Sequence, residues 1–251
     1  MRKLILIAVM CAAGCQAADV VLGRLSDLTF TAGAGANRLA QWAVWSPLSL
    51  SPVAWYRGDG NALDSSGNGR NGTWDTSASY TNGVNAQAFD FKAVGSVACP
   101  TNSFSDGDFS VSLWAFCRSG SGNRGVFCSR GYWNITGQWL FYDISAVVAG
   151  NVSWRSDTFG LYLNVPNVYD AWTHWALVRS GDVFQIWRNG TIAGASTNAI
   201  SMSNARPFRI GARTSSVDVL EQQFAGAIDD VLPFDRALTP AEITQLYQYR
   251  Q

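Results

Sequence analysis

Apolar and polar residues alternate along most of this chain in short runs broken by glycine, asparagine and serine, and helical spacing is almost absent. Phe109 to Arg118 (FSVSLWAFCR) and Trp172 to Arg179 (WTHWALVR) are apolar on both faces, which fits strands at the centre of a sandwich. Val183 to Arg188 is followed by Asn189-Gly190, a pair that tolerates the positive φ angles of a type I′ turn, and Thr191 to Ala195 returns as the partner strand. Phe208 to Ala212 and Phe224 to Leu232 supply two late strands. This pattern predicts an all-β, two-sheet antiparallel sandwich.

One helix is signalled, at the C-terminal end. Thr239-Pro240-Ala241-Glu242 has the form of a capping box, with Thr239 as N-cap, Pro240 in the first helical position and Glu242 reaching back. Ile243, Leu246 and Tyr247 then share one face that can pack on the sandwich.

The other end of the chain reads as an export signal. Arg2 and Lys3 precede an apolar stretch from Leu4 to Ala13, too short to span a bilayer, so no transmembrane span is expected. Two cleavage readings are open. Ala12-Ala13-Gly14-Cys15 resembles a lipobox, which would make Cys15 a lipid anchor, while cleavage near Ala17 would release a secreted chain. Either reading places the mature protein outside the cytoplasm, secreted or at the cell surface or periplasm. Residues 1–17 are thus taken as the signal, the Gly-, Ala-, Ser- and Pro-bearing stretch 18–52 as a spacer or N-terminal extension, and 53–251 as the folded domain.

Composition narrows the function. Of 251 residues only 14% are charged, and the net charge is +0, so the electrostatic footprint of a nucleic-acid binder is missing. Five cysteines are present. Cys117 and Cys128 flank a Gly/Ser-rich stretch and are expected to face each other on a hairpin, where export would let them form a disulfide; the other reading is two buried thiols. Cys99 has no evident mate.

The ordered set of motifs resembles the laminin-G-like branch of the concanavalin A-like lectin/glucanase superfamily. It runs from Val53-Ala54-Trp55-Tyr56-Arg57-Gly58-Asp59 and Asp64-Ser65-Ser66-Gly67-Asn68-Gly69-Arg70-Asn71-Gly72-Thr73, through Phe109 to Trp114 and Trp172 to Val178. It closes with Phe224 to Val231 and Arg236 to Ile243. The resemblance implies a jelly roll, usually with a calcium ion at one rim.

Within it, the loop from Asp59 to Gly72 concentrates Asp59, Asp64, Asn68 and Asn71, oxygen donors of the type a hard cation takes. The resemblance adds an acid of the Ile228-Asp229-Asp230 segment. It nominates Asp59, Asp64 and Asp229 for Ca2+, with backbone carbonyls around Asn71 and Asp230 in reserve. The alternative is that these side chains make Asx turns and cap loops.

Glucanases of this fold use two neighbouring glutamates on one strand, and this chain has only Glu221 and Glu242. His174, the single histidine, sits inside an apolar strand. A non-catalytic module binding a glycan or glycoprotein is therefore expected, the alternative being an envelope adhesion module without sugar binding. Aromatics in the less regular middle of the chain, Trp133, Trp139 and Trp154 foremost and Tyr132, Tyr142 and Tyr162 beside them, are candidates to stack on sugar rings. The competing reading buries them in the core.

Overall fold

The structure is a computed structural model that describes residues 28–29, 43–100, 107–119, 125–132, 135, 137–143, 150–156, 160–202, 206–217 and 219–249. The chain divides into two compact units, Met1–Trp45 and Ser46–Gln251. In the first, β1 (Leu28–Thr29) pairs antiparallel with β2 (Ala43–Val44). The signal, Cys15 and Trp133 lie outside the described residues.

The second unit is a β-sandwich. Its strands are β3 (Thr73–Trp74), β4 (Tyr80–Asn82), β5 (Gln87–Lys92), β6 (Val97–Cys99), β7 (Phe109–Cys117), β8 (Val126–Arg130), β9 (Trp139–Asp143) and β10 (Asn151–Ser156). They continue with β11 (Leu161–Pro166), β12 (Trp172–Ser180), β13 (Val183–Arg188), β14 (Thr191–Thr197), β15 (Phe208–Ile210), β16 (Arg213–Thr214), β17 (Leu220–Glu221) and β18 (Ala225–Phe234). Among the described residues, one seven-stranded sheet runs β11-β10-β9-β8-β15-β6-β3 and the other β14-β13-β12-β7-β18-β5-β4. Both are antiparallel throughout. The expected jelly-roll sandwich is what forms.

The runs that are apolar on both faces, β7 and β12, pair with each other in the interior of one sheet. One face of each points into the gap between the sheets, and the other is covered as well. Aromatic rings fill the gap. Trp154 meets Phe109 edge-on at 5.9 Å and Phe184 at 5.2 Å, Trp139 stacks on Phe109 at 5.6 Å, and Phe141 meets Trp175 at 5.7 Å. Asn189 and Gly190 carry φ of 51° and 78°, so the two-residue loop has the type I′ geometry that matches the twist of β13 and β14.

The hairpin expected between Cys117 and Cys128 does not form. Cys117 ends β7 in one sheet, while Cys128 lies in β8 of the other. The connection crosses between the sheets, so the two residues are never cross-strand partners. Cys99, Cys117 and Cys128 are buried free thiols. Burial pushes all three thiols up, Cys117 to about 12, which removes the thiolate that oxidation requires.

The helix α1 (Pro240–Gln248) forms with its reciprocal cap. The Thr239 side chain accepts from the Glu242 N–H at 3.3 Å, and the Thr239 N–H donates to Glu242 Oε2 at 2.7 Å. Arg236 grips the same carboxylate through Nη1 at 3.0 Å and Nη2 at 2.7 Å. This pairing, opposed by partial burial and helped by Thr239, lowers the Glu242 carboxyl from 4.5 to about 2. Because the folded protein binds this proton more weakly than the unfolded chain, the contribution is complete above about 4.5 and is lost as pH falls through about 2. Glu242→Gln is expected to lower stability near neutral pH by about 1 kcal/mol and to flatten the acid limb of a Tm-against-pH curve.

Candidate functional site

The loop leading into β3 is organised by Asp64. Its Oδ1 accepts the N–H groups of Trp55 at 2.9 Å and Ser66 at 2.8 Å, and its Oδ2 accepts that of Arg70 at 3.0 Å. Partial burial works against the charge, yet the bonds from Ser66, Trp55 and Arg70 prevail and hold the carboxyl below its ordinary value. Asn71 Oδ1 in turn accepts the Asp64 N–H at 3.0 Å. Asn68 Nδ2 donates to the carbonyls of Pro52 and Val53. The oxygens nominated for a cation on Asp64 and Asn71 are therefore engaged by the loop's own backbone, the arrangement of an Asx turn.

The acids at the far end behave differently. In β18 the register against β7 shifts between Asp229 and Leu232, and Asp230 adopts a φ of 47°. This bulge defeats strand alternation and lets both acids reach Asn85, within a strand that is buried along nearly its whole length. Asp230 Oδ1 accepts from Trp55 Nε1 at 2.7 Å, and its Oδ2 accepts from the Asn85 side chain. Asp229 Oδ2 accepts the N–H groups of Val84 at 2.7 Å and Asn85 at 3.1 Å, while its Oδ1 is buried without a partner. Asn85 thus bridges the two acids through its backbone and its amide. Gly83 permits this approach, because a Cβ there would stand 2.4 Å from Asp229 Oδ2.

Asp59 shares the electrostatic environment of this pair. Its Oδ1 accepts the Gln87 N–H at 2.9 Å and its Oδ2 faces Arg57 Nε at 2.9 Å. Burial, and for Asp229 the neighbouring Asp230 charge, push both buried carboxyls above their ordinary range. Asp59 adds to that push, while Arg57 opposes it at Asp230. A buried, orphaned carboxylate oxygen beside two further acids is what a hard cation relieves. Among the described residues, no three His, Cys, Asp or Glu side chains converge as a ready metal cage, so the nominated set of Asp59, Asp64, Asn71 and Asp229 is not brought together as one. The carboxylate oxygen left open is Asp229 Oδ1, whereas both oxygens of Asp59 are engaged, by the Gln87 N–H and by Arg57.

Three of the aromatics nominated for ligand stacking, Trp139, Tyr142 and Trp154, are buried. Trp139 and Trp154 are fully buried, because β9 and β10 turn them into the gap between the sheets. Among the described residues of this region, Tyr162 of β11 is the exposed aromatic, at 49%. Asn85 and the Trp55–Asp230 bond escaped sequence reading. The only trace of the first is the Asn82-Gly83 turn, and nothing local links residues 55 and 230.

His174 Nε2 lies 2.8 Å from Ser112 Oγ, with both side chains buried on adjacent strands. Trp114 and Tyr247 flank the imidazole at 5.2 and 6.0 Å. The pair is a polar contact inside the fold. Glu221 is bound to Arg213 at 2.8 Å and Glu242 to the helix cap, so the two glutamates do not form a pair.

No curated protein matches the chain. Among solved structures it is similar to domain 4 of an extracellular arabinanase from Geobacillus stearothermophilus, solved in complex with arabinotriose, with 20% identity and a TM-score of 0.60. That match covers 78% of this chain and 98% of the arabinanase domain. It is also similar to the binding domain of Paraclostridial mosquitocidal protein 1, with 18% identity, a TM-score of 0.57 and coverage of 74% of this chain and 48% of that one. The ligand-binding domain of botulinum neurotoxin serotype D, solved with N-acetylneuraminic acid, matches at 14% identity and a TM-score of 0.58, covering 81% of this chain and 52% of the toxin domain. The chain thus spans about half of the toxin chains. A family profile described as the concanavalin A-like lectin/glucanases superfamily, laminin G type 3, matches residues 91–244. With that match over more than half its length and the two-sheet jelly roll, the chain belongs to the concanavalin A-like lectin/glucanases superfamily.

Proposed function

We propose that this chain is an exported, non-catalytic binding module for a carbohydrate or the glycan of a glycoprotein, stabilised by a calcium ion. The observation that carries the reading is the arabinanase domain, matched over nearly its whole length and solved with arabinotriose. The toxin domain solved with N-acetylneuraminic acid points the same way. A catalytic reading would need accessible machinery. Ser112 and His174 are sealed in the fold, and Glu221 and Glu242 are held by separate arginines. Export rests on the N-terminal signal pattern, with Cys15 as the lipid anchor if the lipobox is cleaved. No helix among the described residues is long and apolar enough to cross a membrane.

The calcium reading rests on the orphaned Asp229 Oδ1 and the acids around it. Asp229 would hold the ion through its orphaned Oδ1, with backbone oxygens completing its shell, and the ion would offset the buried negative charge to which Asp230 and Asp59 add. At a free calcium concentration one hundred times its Kd, the stabilisation is about 2.7 kcal/mol. Calcium is expected to raise Tm by several degrees over EDTA-treated protein, and Asp229→Asn to abolish that rise. Identical melts with and without calcium would remove the ion from the proposal. For the ligand, a printed array of defined oligosaccharides with arabinotriose and N-acetylneuraminic acid added is expected to give saturable binding. Its absence, together with a stable protein partner, would favour an adhesion module instead.

A further inference from the structure

The outward face of the β11-β10-β9 end of its sheet changes character across three strands. On β9, Leu140 and Tyr142 point away from the main core, form a separate small cluster with Val126, and are nonetheless buried. On β11, alternation is clean: Leu161, Leu163 and Val165 enter the core while Tyr162, Asn164 and Pro166 are exposed. The sheet's outer surface is therefore covered over β9 and open over β11, with β10 along the step.

The residues at that step share one face by register. Ser153 lies between Tyr142 on β9 and Asn164 on β11, and Arg155 between Leu140 and Tyr162. The Arg155 guanidinium stands over the Tyr162 ring at 5.1 Å, holding that ring by one face. The Tyr142 side chain interacts with both Arg155 and Tyr162. Ser153 Oγ is fully buried at the foot of the step and has no hydrogen-bond partner. A half-exposed, braced aromatic ring next to an exposed amide and a partly exposed guanidinium is an amphipathic surface, with the Tyr142 phenol and the Ser153 hydroxyl buried beneath it. A hydrocarbon partner would leave those polar groups unmatched, whereas a sugar offers C–H faces to the ring and hydroxyls to the polar groups.

We propose that this step is the saccharide-binding face, with one sugar ring stacked on Tyr162 and its hydroxyls contacting Asn164 and Arg155. This inference rests on the carbohydrate-binding reading above and locates its site away from the acids around Asp229. Tyr162→Ala, Tyr162→Phe and Asn164→Ala would be titrated with the oligosaccharide bound most strongly by the unaltered protein on the same array. Because both side chains are exposed, all three variants are expected to melt within a few degrees of the parent. Tyr162→Ala should weaken binding about tenfold or more, Asn164→Ala several-fold, and Tyr162→Phe little, since it keeps the ring. Binding that persists unchanged in Tyr162→Ala and Asn164→Ala would overturn this face while leaving the lectin reading intact. No saccharide bound by the unaltered protein would overturn both.

Discussion

Trp154→Ala is expected to cost about 3–5 kcal/mol of folding stability, against about 5–15 kcal/mol for a typical domain. The indole meets rings from three other strands, Phe109 of β7, Trp139 of β9 and Phe184 of β13, so truncation opens a cavity that ties both sheets together. Neighbours this tightly held cannot collapse far into the void. Trp154 Nε1 is itself buried without a partner, so Trp154→Phe removes an unsatisfied donor along with some volume. That variant is expected to lie within about 1–2 kcal/mol of the parent, the gain from losing the orphan donor offsetting part of the packing loss. Urea unfolding measures both. A Trp154→Ala protein that melts normally but loses sugar binding would show the residue contacting ligand rather than core.

Asp64→Ala is expected to be nearly as damaging, by about 2–4 kcal/mol, because it strands three backbone donors that now bond to a charged acceptor. Part of the loss is recovered by water, since the loop borders solvent. Asp64→Asn should be rescued only partly: its amide nitrogen would face a backbone N–H, placing donor against donor. The cost should be the same in calcium and in EDTA, because these oxygens serve the turn. Asp229→Asn should show the opposite pattern, a small effect in EDTA and a large one in calcium. If Asp64 variants instead lost only the calcium-dependent part of Tm, the assignment of Asp64 to the turn would be wrong. Since its folded-state carboxyl is held below the ordinary range, its stabilisation is present above that range and fades as pH falls below it.

What could be read along the chain was whatever local chemistry decides. The Asn189-Gly190 turn, the Thr239–Glu242 cap and the apolar runs of β7 and β12 depend on residues a few positions apart, and all formed as expected. The resemblance carried the jelly roll for the same reason, since ordered motifs encode strand order. Side-chain direction was not legible in the middle of the chain. Trp154 and Tyr162 are both aromatic residues on neighbouring strands, and only their phase relative to the sheet makes one core and the other surface. Slipping that phase by one residue would exchange their roles.

The cysteines and the acids depended on longer-range facts still. Cys117 and Cys128 are eleven positions apart, but the connection between them changes sheets, and no local pattern announces a crossover. Asp229 and Asp230 would face opposite ways on a regular strand, and a bulge in the pairing with β7 lets both bond Asn85. Asn85, Trp55 and Asp59 then reach them from segments more than 140 residues distant. The sequence by itself determined the long apolar strands, the β13–β14 turn, the C-terminal helix, the family and the inventory of donors, while the stretch it showed as less regular is three strands, β9, β10 and β11. Tertiary structure alone decided which oxygens are taken up by the backbone, which one is left without a partner, and which aromatic faces water, because those outcomes follow from register and crossover rather than from neighbouring residues.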